Sequence, residues 1–179
     1  MKYIALLRGI NVSGQKIIKM ADLKMLFEAL AFKQVQTYIQ SGNVVFESDE
    51  TDISSLIEKI ESKISSAYQF EVPVQVFTIE VLKEVHRQNP FIGNSDADIS
   101  HLHLTFLEHE PDTGSWESIE SIDNGNDELK RMGSFVYIYC PNGYGKTKLN
   151  NNVFERKLKM KATTRNWKTI EKLVELASI

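Results

Sequence analysis

The sequence predicts an α+β protein whose first half is a ferredoxin-like unit in the order β-α-β-β-α-β. Three observations support this class. Residues 3–7 form an uninterrupted apolar run, two later segments carry apolar side chains at helical spacing, and short alternating segments between them are bounded by turn residues.

The elements of the first half follow in order. The apolar run 3–7 is typical of a strand buried on both faces. Two helices are predicted by apolar residues at positions 20, 23, 26, 27 and 30, and at 53, 56, 57, 60, 64 and 67, with Thr51 or Asp52 as the cap of the second. Between them, residues 35–39 and 44–46 flank a Ser-Gly-Asn turn and predict a hairpin, and alternation over 72–77 predicts a fourth strand.

In this topology the first and third strands are central and the second and fourth lie at the edges. Pro73 has no amide hydrogen and therefore suits an edge strand. Thr78 is placed to cap a short helix that Asn89-Pro90 ends, and residues 92–100 are typical of a linker. We therefore predict two subdomains, 1–91 and 100–179. One compact unit in which both halves share a sheet is the alternative.

The second half repeats this pattern in part. The sequence predicts a strand at 101–106, followed by a weak helix around Trp116. A hairpin of 127–132 and 135–140 around Gly133-Ser134 and a helix capped by Asn150 come next, which gives the order β-α-β-β-α. An amphipathic helix from Trp167 follows directly. We therefore expect a related second half packed against the first, with a C-terminal helix where a fourth strand would be.

Composition excludes several classes of protein. The chain has 179 residues, 42% of them hydrophobic, and a formal net charge of -3, which does not favour a nucleic-acid or membrane protein. The single cysteine, Cys140, rules out an internal disulfide and fits a reducing compartment. No segment approaches the roughly 18 apolar residues of a membrane span, and Arg8-Gly9 ends the first apolar run too early for a signal peptide. We expect a soluble cytoplasmic protein with no membrane partner.

The first candidate site lies at the end of the first strand. In the split unit this end and the turn between strands two and three fall on the same edge of the sheet, so Arg8 and Asn11 should lie near Ser41, Gly42 and Asn43. A guanidinium, a hydroxyl, two amides and glycine backbone suit a phosphate or carboxylate. The structural alternative is that an internal acid or carbonyl holds Arg8 and that the turn has no ligand.

Two further candidates lie in the second half, where nine Lys or Arg residues occur between Gly143 and Lys172. The segment Gly143-Tyr144-Gly145-Lys146-Thr147 has a partial likeness to a phosphate-binding P-loop, but Cys140 stands where the first glycine is required. A simpler anion nest near Lys146 remains. Arg165 and Asn166 precede the last helix. Thr164 or Asn166 is placed to cap this helix and Trp167 to anchor it in the core, while Arg165 and the helix amides could hold an anion, and the two roles are compatible.

Other chemistry has less support in the sequence. His101, His103 and His109 are close in sequence, but nothing completes a metal ligand set, so we expect no metal. No motif indicates a cofactor, and we expect none. Cys140 has no neighbouring histidine to serve as its base.

Three stretches resemble the bacterial family catalogued as domain of unknown function 1697: residues 5–14, 38–46 and 163–167. The family pattern is also matched at Gly145, Lys146 and Asn89-Pro90-Phe91. At position 13 this chain has Ser13, where the family more usually has glycine. The resemblance implies a small soluble α+β protein and brings no activity. It draws attention to the polar residues Arg8, Asn11, Ser41, Asn43, Lys146, Arg165 and Asn166.

The function we favour from sequence is binding of a small anionic ligand, phosphate- or nucleotide-like, near Arg8 and the 41–43 turn. RNA or single-stranded nucleic-acid binding is the first alternative, with Tyr144, Phe154 or Trp167 as stacking rings. A hydrolase or transferase is the second, for which the sequence offers no nucleophile or base.

Overall fold

The computed structural model describes residues 1–93 and 98–178, which form two four-stranded antiparallel sheets and six α-helices. The chain divides into two compact units, Met1–Glu84 with Lys172–Ile179, and Val85–Glu171. The two halves therefore do not share one sheet. Part of the predicted linker, residues 94–97, lies outside the described residues.

The first sheet has the predicted topology. Its strands are β1 (Lys2–Leu7), β2 (Lys33–Tyr38), β3 (Asn43–Glu47) and β4 (Val74–Thr78), in the spatial order β2-β3-β1-β4. Ala5 of β1 pairs with Val44 on one side and Val76 on the other. The prediction that the first strand lies between the strands of Val44 and Val74 is confirmed, and both predicted edge strands are edges.

The helices α1 (Met20–Glu28) and α2 (Ile53–Tyr68) pack on one face of this sheet. Tyr3, Ala5 and Leu7 contribute to that core because alternate residues of a strand share a face. Phe46 is its aromatic centre, with ring centroids at 5.6 Å from Tyr3 and 4.5 Å from Phe32. On the opposite face of β1, Ile4 and Leu6 are also fully buried, as the uninterrupted apolar run predicts.

The second sheet has the same connectivity. Its strands are β5 (Leu102–Leu107), β6 (Glu128–Met132), β7 (Phe135–Tyr139) and β8 (Ala162–Asn166), in the order β6-β7-β5-β8. The helices α4 (Thr113–Glu120) and α5 (Asn151–Leu158) share a core with it, in which Trp116 and Phe154 are buried. The prediction that a helix replaces the fourth strand is wrong, because β8 precedes the last helix, α6 (Trp167–Ala177). Its Ala-Thr-Thr-Arg-Asn sequence has little apolar alternation, and pairing with β5 defines it instead.

Several predicted helix ends are confirmed by their hydrogen bonds. The Asp52 carboxylate accepts from Ser54 N at 2.9 Å at the start of α2, and Asn150 Oδ1 accepts from Val153 N at 3.2 Å before α5. Asn166 Oδ1 accepts from Thr169 N at 2.8 Å in the first turn of α6. The short helix after Thr78 is α3 (Ile79–Arg87). Among the described helices, none is both long enough and apolar enough to cross a bilayer.

Candidate functional site

The end of β1 and the hairpin turn are joined directly in the structure. Leu7 N donates to Gly42 O at 2.8 Å. Gly42 has a φ of +78°, and a Cβ built there would lie 2.7 Å from Ile10 Cδ1 and 2.8 Å from Leu7 Cβ. Only glycine fits this close approach in a left-handed conformation. We name the loop of residues 8–18 together with the turn of residues 39–42 the loop edge.

Asn11 connects the two parts of the loop edge. Its Nδ2 donates to Ile18 O at 3.0 Å and to Gln40 O at 2.8 Å, while its Oδ1 accepts from Ile18 N at 2.9 Å. This carboxamide closes the loop that follows β1 and holds it against the turn. Asn11, predicted as a ligand contact, therefore positions backbone in the structure.

Asn43 and Ser41 hold the turn itself. Asn43 is fully buried, and its Nδ2 donates to Tyr38 O at 2.9 Å and to Ser41 Oγ at 3.0 Å. The Asn43 side chain therefore faces inward. Ser41 remains partly exposed, and Gln40, which the sequence analysis did not select, is exposed beside it.

Arg8 lies at the point where β1 ends. Its backbone N donates to Pro73 O at 2.9 Å, and the residue is partly buried. The neighbouring Val74 N donates to Glu61 Oε1 at 2.9 Å, so a carboxylate of α2 reaches the same end of β4.

Positive charge distinguishes the segments that build the loop edge. No acidic residue occurs before Asp22, and none occurs between Glu28 and Glu47. Lys16, which the sequence analysis also did not select, donates from Nζ to Glu71 O at 2.6 Å. The absence of acidic residues before Asp22, in a chain whose net charge is -3, is the sequence signal that could have identified Lys16.

The backbone of the loop edge is unusual. Asn11, Ser13, Lys16 and Ile39 have φ values of 55°, 51°, 46° and 49°. Asparagine tolerates this left-handed region well, but a β-branched residue such as Ile39 does so rarely. Strained backbone of this kind is found disproportionately at binding and catalytic sites.

Lys146 lies in the second unit, in a short 3₁₀ turn, Tyr144–Lys146. It is exposed and lines a cleft of about 290 Å³ together with Asp123, Asp127 and Lys148. Lys148 Nζ donates to Asp123 O at 2.8 Å. The two carboxylates beside the two lysines make this cleft mixed in charge, which does not favour an anion.

Arg165 and Asn166 end β8. Arg165 is 9% exposed, and its Nη1 donates to Thr164 O at 3.0 Å. Asn166 is exposed and caps α6. A pair of threonines that was not predicted from the sequence joins this strand to β5: Thr105 Oγ1 and Thr164 Oγ1 are 2.7 Å apart, and Thr164 also donates to Asn151 Oδ1.

The rings proposed for stacking on nucleic-acid bases are mostly inaccessible. Phe154 and Trp167 are fully buried. The Tyr144 ring is partly buried and stacks on His103 at 4.5 Å between centroids. Burial lowers the pKa of His103. Phe154 belongs to the core of the second sheet, and Tyr144 packs against that core.

Metal and thiol chemistry receive no geometric support from the part of the chain that the structure describes. Within residues 1–93 and 98–178, no group of three or more His, Cys, Asp or Glu side chains is arranged to hold a metal ion. Cys140 is buried, and burial together with Asp127 raises its pKa to about 11 despite a hydrogen bond with Thr147. Such a thiol is a poor nucleophile at neutral pH because little thiolate forms.

Comparisons with known proteins agree with this architecture. The conserved bacterial protein SP0830 from Streptococcus pneumoniae has a solved structure that is similar to this chain with a TM-score of 0.75 and 27% sequence identity, over 98% of each chain. No curated protein matches. The model of a family described as "Protein of unknown function (DUF1697)" matches residues 1–137, which include the whole first sheet and the loop edge. The chain therefore belongs to the DUF1697 family.

Proposed function

We propose that this protein binds a small anionic ligand, phosphate- or carboxylate-bearing, at the loop edge. The observation that carries the proposal is the direct junction between the Arg8 end of β1 and the Gln40-Ser41-Gly42 turn, made by the Leu7–Gly42 and Asn11–Gln40 hydrogen bonds of 2.8 Å each. Asn11 and Asn43 hold the backbone. Arg8, Ser41 and Gln40 are the groups we assign to the ligand.

Three physical features support the proposal. The segments around Arg8 and Lys16 contain no acidic residue, which raises the local potential for an anion. The two loops are fixed by internal hydrogen bonds before any ligand arrives, so less conformational entropy is lost on binding. Arg8 can offer a guanidinium, the donor group best matched to two oxygens of a phosphate or carboxylate.

The test compares inorganic phosphate, pyrophosphate and AMP by isothermal titration calorimetry on the full chain. We expect Arg8→Ala to weaken binding by about ten- to a hundredfold, because a hydrogen bond to a charged group contributes about 1.5–3 kcal/mol. Arg156→Ala is the matched control, since it removes the same charge from an exposed position on α5 in the second unit. Equal effects of the two variants would show a general charge effect and contradict the proposal.

Thermal unfolding separates a ligand role from a structural one. A structural Arg8 paired with Glu61 predicts a large loss of stability in Arg8→Ala that Arg8→Ala/Glu61→Gln partly restores, because an unpaired charge is no longer left behind. A ligand role predicts nearly unchanged melting of the free variant and loss of ligand-induced stabilisation. A destabilised variant, together with a wild type that none of the three ligands stabilises, would overturn the proposal.

The proposal also includes a cellular location and a class of partner. A cytoplasmic location is consistent with the single cysteine, which forms no internal disulfide. The partner is a small molecule rather than a nucleic acid, since Phe154 and Trp167 are buried.

A further inference from the structure

The loop edge combines its cations with exposed aliphatic side chains. Val12, Ile17 and Ile39 are 58%, 53% and 45% exposed. A single exposed aliphatic residue is ordinary on a protein surface, whereas large contiguous apolar patches mark sites of interaction.

The hydrogen bonds of Asn11 bring the backbone next to these three residues into one region. Val12 follows Asn11 in the chain. Ile17 precedes Ile18, whose N and O both bond to the Asn11 carboxamide, and Ile39 precedes Gln40, whose O accepts from Asn11 Nδ2. Val12 is thus next in sequence to Asn11 itself, and Ile17 and Ile39 are each next to a residue whose backbone bonds to the Asn11 carboxamide.

Ile39 also has a backbone conformation that its own burial does not explain. Its φ of 49° is unfavourable for a β-branched residue, and its side chain is 45% exposed. Asn or Gly at this position would relieve the strain, because both tolerate the left-handed region. Backbone strain of this kind is concentrated at active sites, ligand clamps and switch regions.

Charge defines the chemistry of that contact. Arg8, Lys16 and Lys19 belong to the same acid-free segment that precedes Asp22. We infer that the ligand of the loop edge is an amphiphilic anion, with a phosphate or carboxylate near Arg8 and an alkyl chain against Val12, Ile17 and Ile39. This inference rests on the proposed anion site and adds the apolar half of the ligand.

The experiment measures inorganic phosphate, ethyl phosphate, butyl phosphate and hexyl phosphate against the full chain by isothermal titration calorimetry. We expect affinity to rise along the series, by up to about fourfold for each methylene group removed from water. Phosphate binding with no gain along the series would overturn this inference and leave the proposed anion site intact. No binding by any member, inorganic phosphate included, would overturn both.

Substitution at Ile39 gives a second readout. We expect Ile39→Asn to melt at a higher temperature than wild type and to lower the ratio of hexyl phosphate affinity to inorganic phosphate affinity by at least about threefold, since the aliphatic contact is lost. Ile53→Asn is the matched control, because Ile53 is 37% exposed at the start of α2, and it should leave the ratio unchanged. An unchanged ratio in Ile39→Asn would contradict the inference.

Vesicles distinguish a free ligand from a lipid. Co-sedimentation with phosphatidylcholine vesicles that contain phosphatidic acid, but not with pure phosphatidylcholine, would assign the amphiphile to a membrane surface. Tight binding of hexyl phosphate without co-sedimentation would assign it to a free alkyl phosphate or carboxylate. Both results support an amphiphilic anion and differ in its source.

Discussion

Replacement of Gly42 by alanine tests whether the junction of the loop edge is as close as the structure shows. Gly9 is a matched control within the same region. Both glycines have left-handed backbone, with φ of +78° for Gly42 and +74° for Gly9. A Cβ at Gly9 would meet no atom within 4 Å, whereas one at Gly42 would lie 2.7 Å from Ile10 Cδ1 and 2.8 Å from Leu7 Cβ.

The expected magnitudes follow from this difference. Gly9→Ala should lower the free energy of unfolding by about 1–2 kcal/mol, the cost of a left-handed alanine. Gly42→Ala bears the same backbone cost and also overpacks a buried contact, which adds about 1–3 kcal/mol. We therefore expect a total loss of about 2–5 kcal/mol for Gly42→Ala. Leu7 Cβ cannot rotate away because it is attached directly to a central strand.

Urea unfolding of the two variants and the wild type measures the comparison. The midpoint of the transition should fall further for Gly42→Ala than for Gly9→Ala, with similar slopes if the unfolded state is unchanged. Equal losses in the two variants would mean that the turn does not pack against Leu7 and Ile10. The geometry on which the candidate site depends would then be incorrect.

Two further predictions concern ionisable groups. Hydrogen bonds from the backbone of Asp52 and from the side chains of Lys59 and Ser55 hold the pKa of Glu50 at about 2, below its ordinary value of 4.5. Glu50 should therefore stabilise the fold above pH 4.5. This contribution should disappear as the pH falls toward 2, because the carboxylate becomes protonated. Thermal melts of wild type and Glu50→Gln should thus differ at neutral pH and converge in acid, and a difference that grows on acidification would refute the assignment. Since burial raises the pKa of Cys140 to about 11, Ellman's reagent should react with it slowly in the native protein and rapidly in urea; rapid reaction with the native protein would contradict its burial.

The sheet order of the first half was predictable because its signals are local and strong. Pro73 cannot serve a central strand, and the buried run of β1 has to lie in the middle of a sheet. The second half was harder, because β8 owes its conformation to pairing between Thr164 and Thr105 and not to its own alternation. A strand of this kind can be predicted only when the strand it pairs with is known.

The candidate site was predictable as a meeting of loops but not in the roles of its side chains. Topology places Arg8 near the hairpin turn, and the structure has that junction. Sequence cannot show which way an amide points, so Asn11 and Asn43 were both selected as ligand groups although their donors bond to backbone carbonyls or to Ser41. Ile39 was predicted as the last residue of the strand 35–39, but β2 ends at Tyr38 and Ile39 lies in the turn, because neither its left-handed φ nor its exposure is encoded in residue type.

The shared connectivity of the two sheets has a consequence for synthesis on the ribosome. In each sheet the strand made first is central, and one of its neighbours is the strand made last. The backbone of Ala5 therefore pairs with Val76, and that of Thr105 with Thr164, only after the last strand has been synthesised. Until the closing strand emerges, β1 and β5 present unpaired backbone groups beside apolar side chains such as Leu104 and Phe106. Such an open edge readily pairs with another chain. Nascent or truncated chains that end before Ala162 should therefore be the species that depend on chaperones and associate with one another.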